Sequence, residues 1–507
     1  MARAPTQYLI RKPLADVRSD IDRHGLHRAL GPVHLVLIGI GCIIGAGVYV
    51  MTGTAAANYA GPAVMLSFVF AGLACAFTGL CYAELSSTLP VSGASYSYAY
   101  AALGEAFAWG LGWMLMLELG LAGSALAVGV SGYLVSLLGD FGIHIPAVLA
   151  TPYIRPAAGE AGTAFVTGGG INLVATAAVL LFAFILVRGV SQSATINAVM
   201  VTVKVGVLLA FIAFGLPHVD PANWKPFIPE NEGGFTYGWA GVLRGASILF
   251  FAYLGFEAVA TAALEAKKPQ RDIPIGILGA LAIATVVYMA VAAVLTGLVS
   301  YKMLNVPDPV AVAVSAIGMP VLSIVIKVGA LTGLCSVLMV NTYAHSRVCY
   351  AMSTDGLLPP LFSRVHARFR TPHQGTWFVA LAAGIAAAFL PISMLGDLVS
   401  LGTGCVFITV AISVIWLRST QPDLPRPFRV PFGGFRVGTL WLGVVPMLAL
   451  VFCVLMMAPV VLDIIRKAMV GEWLPATILG LYIAFGIAFY LLYGVRHSRL
   501  RRALSEA

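Results

Sequence analysis

The chain has 507 residues, 60% of them apolar and only 10% charged, with a formal net charge of +9. Soluble domains carry roughly 25% charged residues, so a water-soluble fold of this length could not cover itself with this composition. The apolar runs are continuous and do not alternate with period two, which excludes a transmembrane β-barrel and leaves an all-α polytopic membrane protein.

In chain order, the first 30 residues are polar and arginine-rich (Arg3, Arg11, Arg18, Arg23, Arg28) and lack the short apolar core of a cleaved signal peptide. Residues 1–32 are expected to form a cytoplasmic tail, with the first span directing insertion. Twelve spans are predicted, near 33–57, 62–88, 105–137, 170–188, 192–216, 239–265, 275–299, 321–351, 375–391, 396–417, 438–458 and 474–494. They group as five spans in 33–216, five in 239–417 and two in 438–494, with a second cytoplasmic tail at 495–507. Spans 1, 3, 6 and 8 exceed the ~20 residues that a perpendicular helix needs, and are expected to be tilted or broken.

With the N-terminus inside, basic residues crowd the cytoplasmic segments: the N-terminal tail, Lys267 to Arg271, Arg364 to Arg370, Arg418 to Arg436 and Arg496 to Arg502. The opposite side holds only Arg155, Lys225, Lys302, Arg466 and Lys467. This is the positive-inside bias. It accounts for the basic charge without a nucleic-acid partner, and it places both termini in the cytoplasm of a cell whose inner or plasma membrane holds the protein. The seven cysteines lie in apolar segments without metal-ligand spacing and read as small packing residues.

Span 1 carries four glycines in nine residues, Gly39, Gly41, Gly45 and Gly47, each weakening a helix by roughly 1 kcal/mol relative to alanine. The helix is expected to open at Gly45-Ala46-Gly47. The alternative is close helix packing through the small-xxx-small pair Gly41 and Gly45. Span 6 has a second candidate break at Gly255, followed by Glu257. Spans 1 and 6 are the first helices of two five-span halves, and interrupted helices at matching positions point to an inverted-repeat secondary transporter with its site near the midplane. Freed amides after the first break can hold a carboxylate, and freed carbonyls around Ile43, Ile44 and Phe251 can hold an ammonium. Together they suit an amino acid.

Three ionisable residues fall inside the spans. Lys204 lies twelve residues into span 5, roughly 18 Å deep at ~1.5 Å per residue, where a charge costs about 2.5–3.5 kcal/mol. It is expected either to exchange a proton and couple it to transport, or to act as a charged strut on the open carbonyls of span 1. Glu118, in mid span 3, either attracts a cationic substrate side chain or is protonated for packing. Glu257 either lines the inward path or pairs with a basic group. Glu84, Arg244, Lys327, Arg347 and Asp397 lie nearer span ends, where solvation or gate pairing is expected. No HExxH, GxSxG or P-loop constellation is present, so an enzyme is not expected, nor a metal site. The lack of a charged ring or filter sequence argues against a channel.

The segments GIGCIIGAGVYVMTG (39–53), YAGPAVMLSF (59–68), YAEL (82–85), VSGASYSYAY (91–100), FFAYLGFEAVATAA (250–263), KKPQRDIPIGI (267–277), RVCYAMSTDGLLP (347–359) and PDLPRPFRVP (422–431) closely resemble the bacterial form of the cationic amino acid transporter family, within the amino acid–polyamine–organocation superfamily. The resemblance implies a LeuT-like fold, a 5+5 inverted repeat plus two C-terminal helices. It implies substrate contacts at Ile43, Ile44, Ala46, Gly47, Phe251, Ala252 and Leu254, to which the breaks add Gly45 and Gly255. It implies that Lys204 replaces a sodium ion and supports proton coupling, so no cofactor and no sodium site are expected, and that Glu118 belongs to the binding region. The expected function is import of cationic or small neutral amino acids by proton symport. Exchange of amino acids or polyamines and a transporter-like sensor are the alternatives. A monomer is expected, with room for a small accessory membrane subunit. The sequence departs from the family pattern at Glu257, where aspartate is commoner, at Leu264 in place of a glutamate, and at Ala344 and His345 in place of Gly-Gln.

Overall fold

The computed structural model describes residues 10–11, 30–89, 94–156, 165–189 and 194–506. Helices dominate: α1 (Pro32–Ile43), α2 (Val64–Thr88), α3 (Glu105–Asp140), α4 (Leu173–Val187), α5 (Ala194–Gly215), α6 (Gly238–Leu249), α7 (Glu257–Thr261), α8 (Pro269–Leu298), α9 (Pro320–Thr354), α10 (His373–Phe389), α11 (Ile392–Thr420), α12 (Val444–Met469), α13 (Leu474–Phe489) and α14 (Arg499–Glu506). Two small antiparallel hairpins, β1–β2 (Ile154–Pro156, Phe165–Thr167) and β3–β4 (Gly434–Val437, Leu440–Gly443), sit in connections.

Among the described residues, nine helical runs are long and apolar enough to cross a membrane. One of them, Gly47–Thr88, is interrupted at Gly61, whose φ of +60° and following Pro62 end one helical stretch and start α2. The shorter apolar helices α1 and α4 stand beside these nine. Spans 3 and 8, expected to be tilted or broken, are single helices of 36 and 35 residues. Spans 1 and 6 are the ones that break.

Local chemistry sets several ends. Pro32 opens α1, where its missing N–H costs nothing. Asn172 caps α4 by accepting from the Ala175 amide at 3.0 Å, and is itself fixed by the Ser131 hydroxyl at 2.8 Å. The Arg426 guanidinium closes α11 by donating to the Leu417 and Gln421 carbonyls at 3.1 and 2.7 Å. In the packed interior α8 lies against both α1 and α2, α3 against α9 and α11, and α4 against α10.

The paired charges of the helices collect at two levels. At one end of the bundle Glu84 receives Arg418 and Arg426, and Glu105 receives Arg501 at 2.6 Å. At the other, Arg244 is fully buried between Asp397 (2.7 Å) and Asp463 (3.2 Å) and lies over the Tyr59 ring, while Lys467 pairs with Asp463 and Lys327 with Asp140. Pairing is what makes burial of such groups tolerable. Near the start of α1, the Leu30 amide donates to the Glu265 carbonyl and the Lys267 amide to the Leu30 carbonyl, both at 2.9 Å.

Candidate functional site

The first break follows directly from the end of α1. Ile44 takes an extended conformation (ψ 104°), Ala46 is already helical, and Gly47–Met51 forms a wide π-helical turn. The opening thus falls at Ile44–Gly45, slightly before the expected Gly45-Ala46-Gly47. Gly47 serves a different need: a Cβ there would lie 2.3 Å from the Ala252 Cβ. Span 6 winds from α6 into a 3-10 turn at Phe250–Tyr253, extends at Leu254 (ψ 137°) and passes Gly255 at φ +112° before α7 begins. A Cβ on Gly255 would lie 2.8 Å from Cys42 backbone atoms. The two interruptions therefore touch, Gly47 against Ala252 and Gly255 against Cys42, and only glycine permits either approach.

The carbonyls released by these breaks are engaged by the protein itself. The Lys204 amine, on α5 and fully buried, donates to the Gly41 carbonyl and, at 3.1 Å, to the Ile44 carbonyl. Its own carbonyl accepts from the Tyr49 hydroxyl (3.0 Å), whose carbonyl in turn accepts from Tyr133 (2.8 Å). Gly333 on α9 leaves space for the lysine stem, since a Cβ there would lie 3.2 Å from the Lys204 Cβ. The Tyr288 hydroxyl, from α8, reaches both the Ile43 carbonyl (2.9 Å) and the Ala252 carbonyl (3.2 Å) and so spans the two breaks. The Phe251 carbonyl accepts from the Leu254 amide at 3.1 Å. The Ile43, Ile44 and Phe251 carbonyls, expected to be able to hold an ammonium, each have a protein donor here, which leaves each oxygen one further lone pair.

Glu118 is buried against α11. Its Oε1 accepts from the Thr403 hydroxyl at 2.9 Å and its backbone lies against Gly402, while Oε2 is buried with no partner among the described residues. Glu257, the first residue of α7, turns back and accepts from the Gly255 amide at 3.0 Å. No ion pair among the described residues involves Glu118, Lys204 or Glu257, in contrast to the paired charges at the two ends. Leu264, where the sequence departs from the family, has a side chain outside the described set.

Exposure is uneven across the breaks. Ala46, Val48, Tyr49, Val50 and Met51 are sealed, whereas Cys42, Leu254, Gly255 and Glu257 on the α1–α7 side are half-buried. The less buried side of the breaks is therefore the one toward the end of the bundle that holds Glu84 and Arg418. Phe407 of α11 wedges against Phe250 and Phe256 (both 5.3 Å between ring centroids) and Tyr82 (6.0 Å). Sequence reasoning passed over Tyr288, Thr403 and Phe407. For Tyr288 a signal existed, because a tyrosine hydroxyl in mid-span must find a partner. Replacing Tyr288 by phenylalanine is expected to lower uptake severalfold with normal folding, since one hydroxyl bridges both interruptions; unchanged uptake in reconstituted vesicles would show that the bridge is dispensable.

Comparison with known proteins finds relatives over most of the chain. The methylthioribose transporter of Bacillus subtilis is 42% identical over 97% of this chain and 99% of its own length. The branched-chain amino acid permease of the same organism is 38% identical over 94% and 95%. The vacuolar cationic amino acid transporter 4 of Arabidopsis thaliana is 38% identical over 79% of this chain and 65% of its own. A family profile described as amino acid permease matches residues 30–491, and the chain, a multi-pass membrane protein, belongs to the amino acid permease family.

Proposed function

We propose that this protein is a secondary active transporter that imports amino acids by proton symport, through alternating access in a twelve-span, LeuT-like arrangement. The observation that carries this reading is the contact of two broken helices beneath a lysine amine that sits on the carbonyls of the first break. Amides at the start of the stretch from Gly47 lack intrahelical acceptors and suit a substrate carboxylate. A substrate ammonium would compete with Tyr288 for the Ile43 and Ala252 carbonyls. The unpartnered Glu118 Oε2 is an acceptor for a polar or cationic side chain. Protons are the coupling ion and no sodium site is needed, because the Lys204 ammonium already occupies the carbonyls where a cation would sit. With both termini cytoplasmic, the half-buried Cys42–Glu257 side faces inward and the Arg244 cluster lies at the outer end, a reading that fits an inward-facing state. The unit is a monomer in a cell membrane, with or without a small accessory subunit.

A second cargo is favoured by one comparison. The relative that shares 42% identity over nearly full length is a methylthioribose transporter, so a methylthio sugar stands as the alternative, its hydroxyls donating to Glu118. Thermal-shift measurements on purified protein with each amino acid and with methylthioribose decide between them, since a ligand at a hundred times its dissociation constant stabilises by about 2.7 kcal/mol. A shift with amino acids supports the proposal; a shift with methylthioribose alone overturns it. Glu118→Gln is expected to reduce lysine and arginine uptake roughly tenfold more than alanine uptake, because a hydrogen bond to a charged group is worth about 1.5–3 kcal/mol. Equal loss for all substrates would make Glu118 a packing residue.

A further inference from the structure

The last span runs on from α13 to His497 as one apolar helical stretch, and α14 begins at Arg499. The chain turns basic here, with Arg496, Arg499, Arg501 and Arg502 close together. Arg501 points inward: its Nε donates to Glu105 at 2.6 Å, and the Ser498 and Tyr490 hydroxyls reach the same carboxylate. Ser498 also caps α14 by accepting from the Arg501 amide at 3.3 Å. The Arg499 amide donates to the Asp355 carbonyl at the end of α9, at 3.0 Å. The first turn of α14 is thus pinned to α3 and α9, which fixes where the backbone of Arg499 and Arg502 sits.

Arg499 and Arg502 stand three residues apart and so share one face of the helix. Both line a cavity of about 180 Å³, together with His497, Tyr493, Ser353 and Leu358. The His497 ring stacks on Tyr493, with centroids 4.1 Å apart, and its Nδ1 is tied to the Tyr493 carbonyl at 3.0 Å. Arg499, Arg502 and His497 are all exposed. None of the described residues lining the cavity is acidic, and the Arg499 guanidinium has no hydrogen bond or ion pair among the described residues.

Two guanidinium groups that share a cavity repel each other, and an anion between them reverses the sign of that interaction. Their planar forks of N–H donors suit the oxygens of a phosphate or carboxylate. Position selects between these. Leu491 and Leu492, one to two turns before His497, are 51% and 66% exposed, as lipid-facing side chains are. The cavity therefore lies where hydrocarbon gives way to water, and the fixed anions at that level are the phosphates of lipid headgroups. Pockets that enclose a whole small molecule measure roughly 300–1,000 Å³. This smaller cavity suits a headgroup phosphate, with the acyl chains left outside along Leu491 and Leu492.

We propose that this cavity binds the phosphate group of an anionic phospholipid, clamped between Arg499 and Arg502 at the end of the last span. No residue of either break lines it, so the site is independent of which cargo is carried.

Native mass spectrometry of the full-length protein in detergent tests this, with dioleoylphosphatidylglycerol as probe and dioleoylphosphatidylcholine and inorganic phosphate as comparisons. The first phosphatidylglycerol is expected to bind about tenfold more tightly than phosphatidylcholine, whose ammonium would be set against the arginines. Arg499→Gln should weaken its binding about tenfold, as loss of hydrogen bonds to a charged group implies. Arg496→Gln, which removes the same charge from the same end of the chain but not from the cavity, should leave it unchanged. Equal loss in the two variants would reduce the effect to general charge attraction and overturn the proposal. Equal binding of the two lipids overturns it as well, and so does inorganic phosphate bound as tightly as phosphatidylglycerol, which would make the ligand a free anion. Both substitutions fall at exposed positions, and the wild-type comparisons decide on their own should either variant fail to fold.

Discussion

Lys204→Ala is expected to reduce uptake into proteoliposomes at least tenfold and to leave the remainder insensitive to an imposed pH gradient. The lysine amine is the donor for the Gly41 carbonyl and for the Ile44 carbonyl at 3.1 Å. Alanine would leave both facing a void in the interior, at about 1–3 kcal/mol for each unsatisfied group. The first break would then rewind or recruit another donor, and the carbonyls that shape the site would turn away. Arginine at 204 separates the two roles open to this residue. It keeps the charge and the donors but cannot release a proton. Transport by Lys204→Arg without a pH response would assign coupling to the lysine. A Lys204→Arg or Lys204→Ala protein with the wild-type pH response would remove it from coupling altogether.

Gly47→Ala is expected to abolish transport while the protein still folds. The added methyl would sit 2.3 Å from the Ala252 Cβ and 2.4 Å from its Cα, so the backbone of one break must move by more than 1 Å. Overpacking of this kind costs roughly 1–3 kcal/mol, which lowers the melting temperature without preventing assembly. The functional loss is larger, because the facing interruptions would no longer share the Tyr288 hydroxyl. Substituting Ala252 by glycine in the same protein should restore little, since the clash is also with the Ala252 main chain. Wild-type uptake by Gly47→Ala, measured at matched protein levels, would show that the breaks separate during most of the cycle.

Much of the helical architecture is legible in the chain because hydrocarbon admits few alternatives: apolar runs of span length, basic residues on one side, glycines where a helix gives way. Gly255, followed by an acid in an otherwise apolar run, marks the second interruption for this reason. The finer geometry of the site is less legible. Gly45 and Gly47 look alike in sequence, yet one borders the extended residue and the other admits Ala252. That difference arises from a helix some 200 residues away. Tyr288 announces by its mid-span hydroxyl that it needs a partner but not which one, and nothing in the composition around Thr403 indicates that it faces Glu118. Lys204 is conspicuous as a charge in a span, but its partners are main-chain carbonyls, which carry no residue-type signature.

The pairing of Leu30 with Glu265 and Lys267 ties together the far ends of the two interrupted helices. Two hydrogen bonds staple the foot of α1 to the chain that leaves α7, so the arms that run out from Ile44 and from Gly255 are joined at both extremities, by main-chain bonds at the foot and by the glycine contacts at the breaks. A load placed on either arm is therefore shared by its neighbour.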